Sequence, residues 1–228
     1  MLEELEKILK LFIPATILQK LYADKESLIT QKILKTAEIF NQAKIKNNEQ
    51  LEKINDYLLI KYSFIEAPKQ PLHEIIDKLS MIYKGILYGL NADQIILYAD
   101  MQFSIEQIQE LMTTLQTLTH DQAELIANPQ FSPNKIKILR MMIEKNFSHD
   151  TIQKFLNIKL NDNQLEELLD PELNENQFLS IITQPLPRNN LDLYLLIQKA
   201  KEKVINTNKG GKDEQKRNKR MAESRKRI

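Results

Sequence analysis

Two His-Asp pairs, His120-Asp121 and His149-Asp150, and a cluster of cations near the C-terminus come nearest to chemistry in this chain. Imidazole nitrogen and carboxylate oxygen are donors that zinc accepts. Each pair, however, follows a Thr or Ser at an expected helix start. There a carboxylate is drawn to the positive end of the helix dipole and side chains face water. Repetition alone explains the two pairs, so no metal site is expected at either, and His73 lies in a further helix start where exposure is the simpler reading. Glu166 and Glu167 are adjacent on a helix and point in different directions, which prevents them from acting as a carboxylate pair. Lys209-Gly210-Gly211-Lys212 superficially suggests a phosphate loop. It lacks the preceding strand, the glycine spacing and the following Ser or Thr, and reads as a flexible linker. With no cysteine and no Gly-flanked serine, nothing supplies a recognisable nucleophile. The expectation is a protein that is not an enzyme, with no cofactor.

Lys216, Arg217, Lys219, Arg220, Arg225, Lys226 and Arg227 are the candidate contacts for nucleic acid or another polyanion. Dense positive charge neutralises phosphates without choosing a sequence. A solubilising tail is the alternative, and the sequence leaves both open. Residues 209–228 hold nine Lys or Arg against three Asp or Glu, a net of +6, so a chain of formal charge +1 carries about −5 in residues 1–208.

The elements that must position these groups announce themselves by one recurring signal, an apolar residue followed by Ser, Thr or Asn and usually by Gln three places on. It occurs at Leu90-Asn91, Phe103-Ser104, Leu118-Thr119, Phe131-Ser132, Phe147-Ser148, Leu160-Asn161 and Leu173-Asn174. The polar residue accepts a hydrogen bond from an unpaired amide of the first turn, and the apolar one packs five residues on, as Phe131 on Ile136. The starts are 13, 15, 13, 16, 13 and 13 residues apart, which predicts helices of about eight to eleven residues that are too short to persist alone. Superposing the region on itself with a shift of 28 matches Asp93-Gln94 to Asp121-Gln122 and Gln102-Phe103-Ser104 to Gln130-Phe131-Ser132. A shift of 42 pairs Asn128-Pro129 with Asp170-Pro171. Such a unit of two short helices buries its apolar face by stacking on the next.

Before the repeats, apolar residues at threes and fours predict a first helix through Leu5, Ile8 and Leu9. Two or three more follow up to Leu59, and then a long amphipathic helix runs from Leu72 to about Gly89. Pro185 and Pro187 end the array, and a last helix runs through Leu191 to Ala200. The expected organisation is therefore all-α. Irregular N-terminal helices occupy residues 1–70 and a stacked array of short antiparallel helical repeats, with a period of about 28, occupies residues 71–205. A disordered basic tail fills residues 206–228. At 228 residues and 42 % apolar composition the chain can bury a real core. The acidic N-terminus and the absence of a long apolar run point to a cytoplasmic protein without a membrane span.

Gly89-Leu90, Tyr98-Ala99, Phe103-Ser104 and Gln107-Ile108, echoed by Ala127-Asn128-Pro129 and Phe131-Ser132, resemble short helical repeats in uncharacterised proteins of Gram-positive phages, plasmids and integrative elements. The resemblance covers residues 89–182. Met101, Ile126 and Thr117 stand where that pattern has Pro, Tyr and Gly. It implies a mobile-element setting and no activity. The sequence thus leads to a non-enzymatic helical-repeat module that binds an unidentified protein. The alternatives are a nucleic-acid-binding accessory protein acting through its tail and, third, an enzyme without a recognisable motif.

Overall fold

The computed structural model describes residues 2–24, 26–63, 70–187 and 189–202, and all regular structure among them is helical. The helices are α1 (Leu2–Leu9), α2 (Ala15–Ala23), α3 (Leu28–Lys46), α4 (Asn48–Tyr62), α5 (Leu72–Leu87), α6 (Ala92–Ile96), α7 (Ile105–Thr114), α8 (His120–Glu124), α9 (Pro133–Glu144), α10 (His149–Leu156), α11 (Asp162–Leu168) and α12 (Glu175–Ile182). Residues 190–202 are also helical and are called α13. Among the described residues no helix is long and apolar enough to cross a membrane. The chain divides into two compact units at Ile136/Lys137, within α9.

All seven expected caps are present. The side chains of Asn91, Ser104, Thr119, Asn161 and Asn174 accept from the amide three residues on, and the Gln there bonds back to the cap amide, closing five full capping boxes. Ser132 and Ser148 accept from the amides of Lys135 and Thr151. These two lack the Gln. Glu175 supplies the missing acceptor for Ser148 from 27 residues further on, taking a 2.8 Å bond from its backbone amide and another from its hydroxyl.

Several of these helices are shorter than the spacing predicts, since α6 and α8 have five residues each. A turn accounts for the residues they lose. Asp100, Asn128 and Asp170 each accept from the amide two residues on, at 2.9 Å in all three cases. The backbone carbonyl of the same residue accepts from the amide three residues on, at Phe103, Phe131 and Leu173. This Asx turn occupies chain that would otherwise continue the helix.

In the first unit, α5 packs on both α3 and α7, while α6 packs on α4 and α8. Helices two apart in sequence are therefore spatial neighbours, and the connector around residue 70 lies inside this unit. Phe40 meets Tyr83 and Phe12 meets Tyr62 edge to face, each with ring centroids 5.0 Å apart. In the second unit the buried Phe178 ring is met by Phe147 at 5.7 Å and Phe155 at 5.6 Å, and α10 packs on α12. Phe103, Phe147 and Phe178 are buried as staples should be. Phe131 departs from that expectation. It is half-buried, with the Lys135 ammonium 4.7 Å from the centre of its ring.

Gly89 (φ 89°) and Asn146 (φ 57°) occupy the left-handed region after α5 and α9. In each case the following amide reaches back five residues, from Leu90 to Gly85 and from Phe147 to Met142, which closes a Schellman motif. Gly85 is required for a different reason. A Cβ there would lie 2.1 Å from the Tyr98 hydroxyl and 2.8 Å from Ile95 Cγ1. That hydroxyl is buried without a hydrogen-bond partner.

Gly85→Ala should therefore lower the urea midpoint, because overpacking costs about 1–3 kcal/mol against a propensity gain of about 1 kcal/mol. Tyr98→Phe removes a buried unpaired group and should be neutral or stabilising in the parent. In the Gly85→Ala background it should recover part of the loss. A double variant whose losses simply add would refute the contact.

Candidate functional site

The sequence candidates separate into those the structure places and those it does not. Lys216, Arg217, Lys219, Arg220, Arg225, Lys226, Arg227 and the Lys209–Lys212 motif lie outside the described residues. His120 is 49 % exposed on its side chain, with Nε2 3.3 Å from Glu124 one turn on, and His149 and His73 are exposed. Among the described residues no group of three or more His, Cys, Asp or Glu is placed to hold a metal ion. Glu166 is exposed and Glu167 half-buried on α11. Tyr98 is fully buried.

The densest polar network lies around the first Asx turn and involves residues that local sequence reading passes over. Lys61 Nζ, on α4, bonds to Asp100 Oδ2 and to the Tyr57 hydroxyl, both at 2.9 Å. Tyr62 donates to Asp100 Oδ1 at 3.1 Å and accepts from the Met101 amide at 2.8 Å. From the other side, Lys78 Nζ donates to the Met101 carbonyl at 2.9 Å, and Gln70 Nε2 donates to the same oxygen at 2.6 Å. Lys78 is 1 % exposed, and its ammonium also meets Gln70 Oε1 at 3.0 Å and Glu74 at 2.7 Å. One signal of this was legible. Lys78 sits between Ile75 and Ile82 on the apolar stripe of α5, where a cation is buried only if it has partners.

Burial pushes the Asp100 carboxyl up, but bonds from Lys61, the Gln102 amide and Tyr62 outweigh it and hold the group below the usual carboxylate range. Burial pushes Lys61 down, and its bonds to Tyr57 and Asp100 reverse that to a net rise. Burial raises Tyr62. These shifts keep both members of the pair ionised near neutrality, which suits a clamp and not proton transfer.

The same tether recurs at the other two Asx turns. Gln107 Nε2 donates to the carbonyls of Pro129, at 3.0 Å, and Phe131. Lys145 Nζ donates to those of Pro171 and Leu173, the latter at 2.7 Å. Lys201 adds ion pairs to Asp170 and to Glu172 at 2.8 Å, so Asp170, like Asp100, anchors both a turn and a lysine.

Several depressions lie on the first unit. One, of ≈ 510 Å³, lies between α6 and α8 and is lined by Asn91, Asp93, Thr119, His120 and Glu124. Two others, of ≈ 370 and ≈ 210 Å³, share Met81, Lys84 and Gln109 and so adjoin across α3, α5 and α7.

Because Asp100 titrates lower in the folded chain, its stabilisation is present above the unfolded value near 4 and is lost as pH falls through the folded value. Asp100→Asn should cost about 1–3 kcal/mol at neutral pH. The gap to the parent, followed by urea unfolding between about pH 2 and 7, should narrow steadily below about pH 4. A pH-independent gap would mean that the Lys61 bonds to Asp100 do not contribute.

Comparison with protein-family models, with curated proteins and with solved structures finds no match for this chain.

Proposed function

We propose that this chain is a non-enzymatic helical-repeat module that binds a protein partner, in the setting of a mobile genetic element. The observation that carries this reading is how the buried polar side chains are used. Among the described residues the buried polar side chains, tyrosines apart, are Thr30, Thr36, Lys78, Gln107, Thr114, Thr151, Gln164 and Gln177, while the buried Tyr98 hydroxyl has no partner. Each of those eight side chains is hydrogen-bonded to a backbone group or within a cap. A catalytic pocket needs polar groups aimed into it. Here most of those groups tie turns and helix ends together and the rest bond back within their own helix, as Thr36 does to the Lys32 carbonyl, and we assign binding to the outer faces of the helices.

The stacked-repeat part of the reading is supported by helices two apart packing together and by the Asx turn that recurs at Asp100, Asn128 and Asp170. The resemblance of residues 89–182 to repeats of phage and plasmid proteins supports the setting. A second reading, a nucleic-acid-binding accessory protein, is favoured by the net +6 of residues 209–228. The two separate experimentally.

Tagged full-length chain, recovered from the cells that encode it with and without nuclease treatment, should retain the same protein partners in both. Removing residues 209–228 should leave that set unchanged and abolish nonspecific RNA binding. In the intact chain, RNA binding should weaken with salt by roughly 0.7 in log affinity per log unit of salt for each phosphate neutralised. Partners that all vanish with nuclease, together with steeply salt-dependent RNA binding, would replace the first reading with the second.

A further inference from the structure

The two adjoining depressions on α3, α5 and α7 have a composition unlike that of the chain around them. They contain three lysines, Lys32, Lys35 and Lys84, and one carboxylate, Asp77. Asp77 is already engaged by Lys32. Lys35 is exposed, and the Lys84 ammonium lies 4.0 Å from the Met81 sulfur, a weak acceptor. Among the described residues neither the Lys35 nor the Lys84 ammonium is paired with a carboxylate, in a sequence whose residues 1–208 sum to about −5. Between and beside them lie Met81, Met112 and Tyr88, the last 59 % exposed. Thioethers on unbranched chains adapt to varied apolar partners, and an exposed Tyr supplies contact area at low entropic cost. From Asp77 to Tyr88 the groove follows α5 for about 16 Å at 1.5 Å per residue, three turns of a docked helix.

We propose that this face docks an acidic peptide segment of a protein partner, its carboxylates meeting Lys35 and Lys84 and an apolar side chain entering between Met81, Met112 and Tyr88. This rests on the protein-interaction reading above and names its surface and the chemistry of its partner. Charge complementarity selects the occupant. A nucleic acid is disfavoured by arithmetic: two available cations give a salt slope of roughly 1.4 to 1.8, too few phosphate contacts for useful affinity, and Asp77 would face the backbone.

Full-length chain panned against a phage-displayed library of random 12-residue peptides provides the test, with affinities of a selected, fluorescein-labelled peptide read by anisotropy. Selected sequences should be enriched in Asp and Glu around Leu, Phe or Met. Lys35→Glu/Lys84→Glu should weaken binding by about tenfold or more, Lys35→Gln/Lys84→Gln by less, and higher salt should weaken the parent complex. Unchanged circular dichroism and melting temperature of the variants would show that the fold is intact. Recovery of no peptide, recovery of neutral or basic peptides, or affinity unaffected by either variant would overturn the proposal. So would an oligo(U) RNA that outcompetes the peptide at these lysines. If the Lys35→Glu/Lys84→Glu chain recovers the same nuclease-resistant partners from cells as the parent, this surface is refuted while the interaction module stands. If no nuclease-resistant partner exists for the parent, the module itself fails.

Discussion

A helix of five residues satisfies almost none of its own backbone groups, since the first four amides and the last four carbonyls of any helix lack internal partners. α6 and α8 are of this kind, and the structure around them follows from that deficit. The capping boxes at Asn91 and Thr119 take up amides at one end, and the Asx turns at Asp100 and Asn128 organise the chain leaving the other. Even so, the turn exposes further carbonyls, at Met101 and Pro129, and these are met by long side chains from an earlier helix. Lys78 and Gln107 are such tethers in the first unit and Lys145 is one in the second.

The burial of Lys78 illustrates the cost of this solution. An ammonium taken out of water loses several kcal/mol of hydration, recovered only when its protons are all used. The Met101 carbonyl, Gln70 and Glu74 are the three acceptors it meets. Such an arrangement contributes little net stability compared with a well-packed hydrophobe, but it tolerates few alternatives. A slip of α5 against the turn would strand both a charge and a carbonyl. Together with the Lys61–Asp100 pair and the Tyr62 hydroxyl, it fixes the turn against α4 and α5 at once. The void above Gly85, filled by Tyr98, adds a steric stop between α5 and the end of α6.

Among the described residues, many of the buried polar side chains are committed to holding turns and helix ends. On the first unit the face shared by α3, α5 and α7 combines Lys35 and Lys84, which among the described residues pair with no carboxylate, with methionine and tyrosine, in a sequence that is otherwise net acidic.

The sequence by itself determined the all-helical class and where seven helices begin, because a cap is decided by three or four consecutive residues. It likewise marked the amphipathic α5, which ends one turn after Gly85 with Gly89 in the left-handed conformation that closes it. Tertiary structure decided the rest. The length of α6 and α8 depends on an Asx turn whose carbonyl needs a donor from more than 20 residues away, as with Gln107 and Pro129. Phe131 precedes a serine cap as Phe103 does, with Lys135 in place of the capping-box Gln, and remains half-exposed beneath that lysine. The cap of Ser148 is completed by Glu175, and the burial of Lys78 is permitted by Gln70 and the Met101 turn. Local hydrogen bonds are encoded within a few residues and can be read there. Burial and long-range tethering are properties of which surfaces meet, and the helices bring those surfaces together only when they pack.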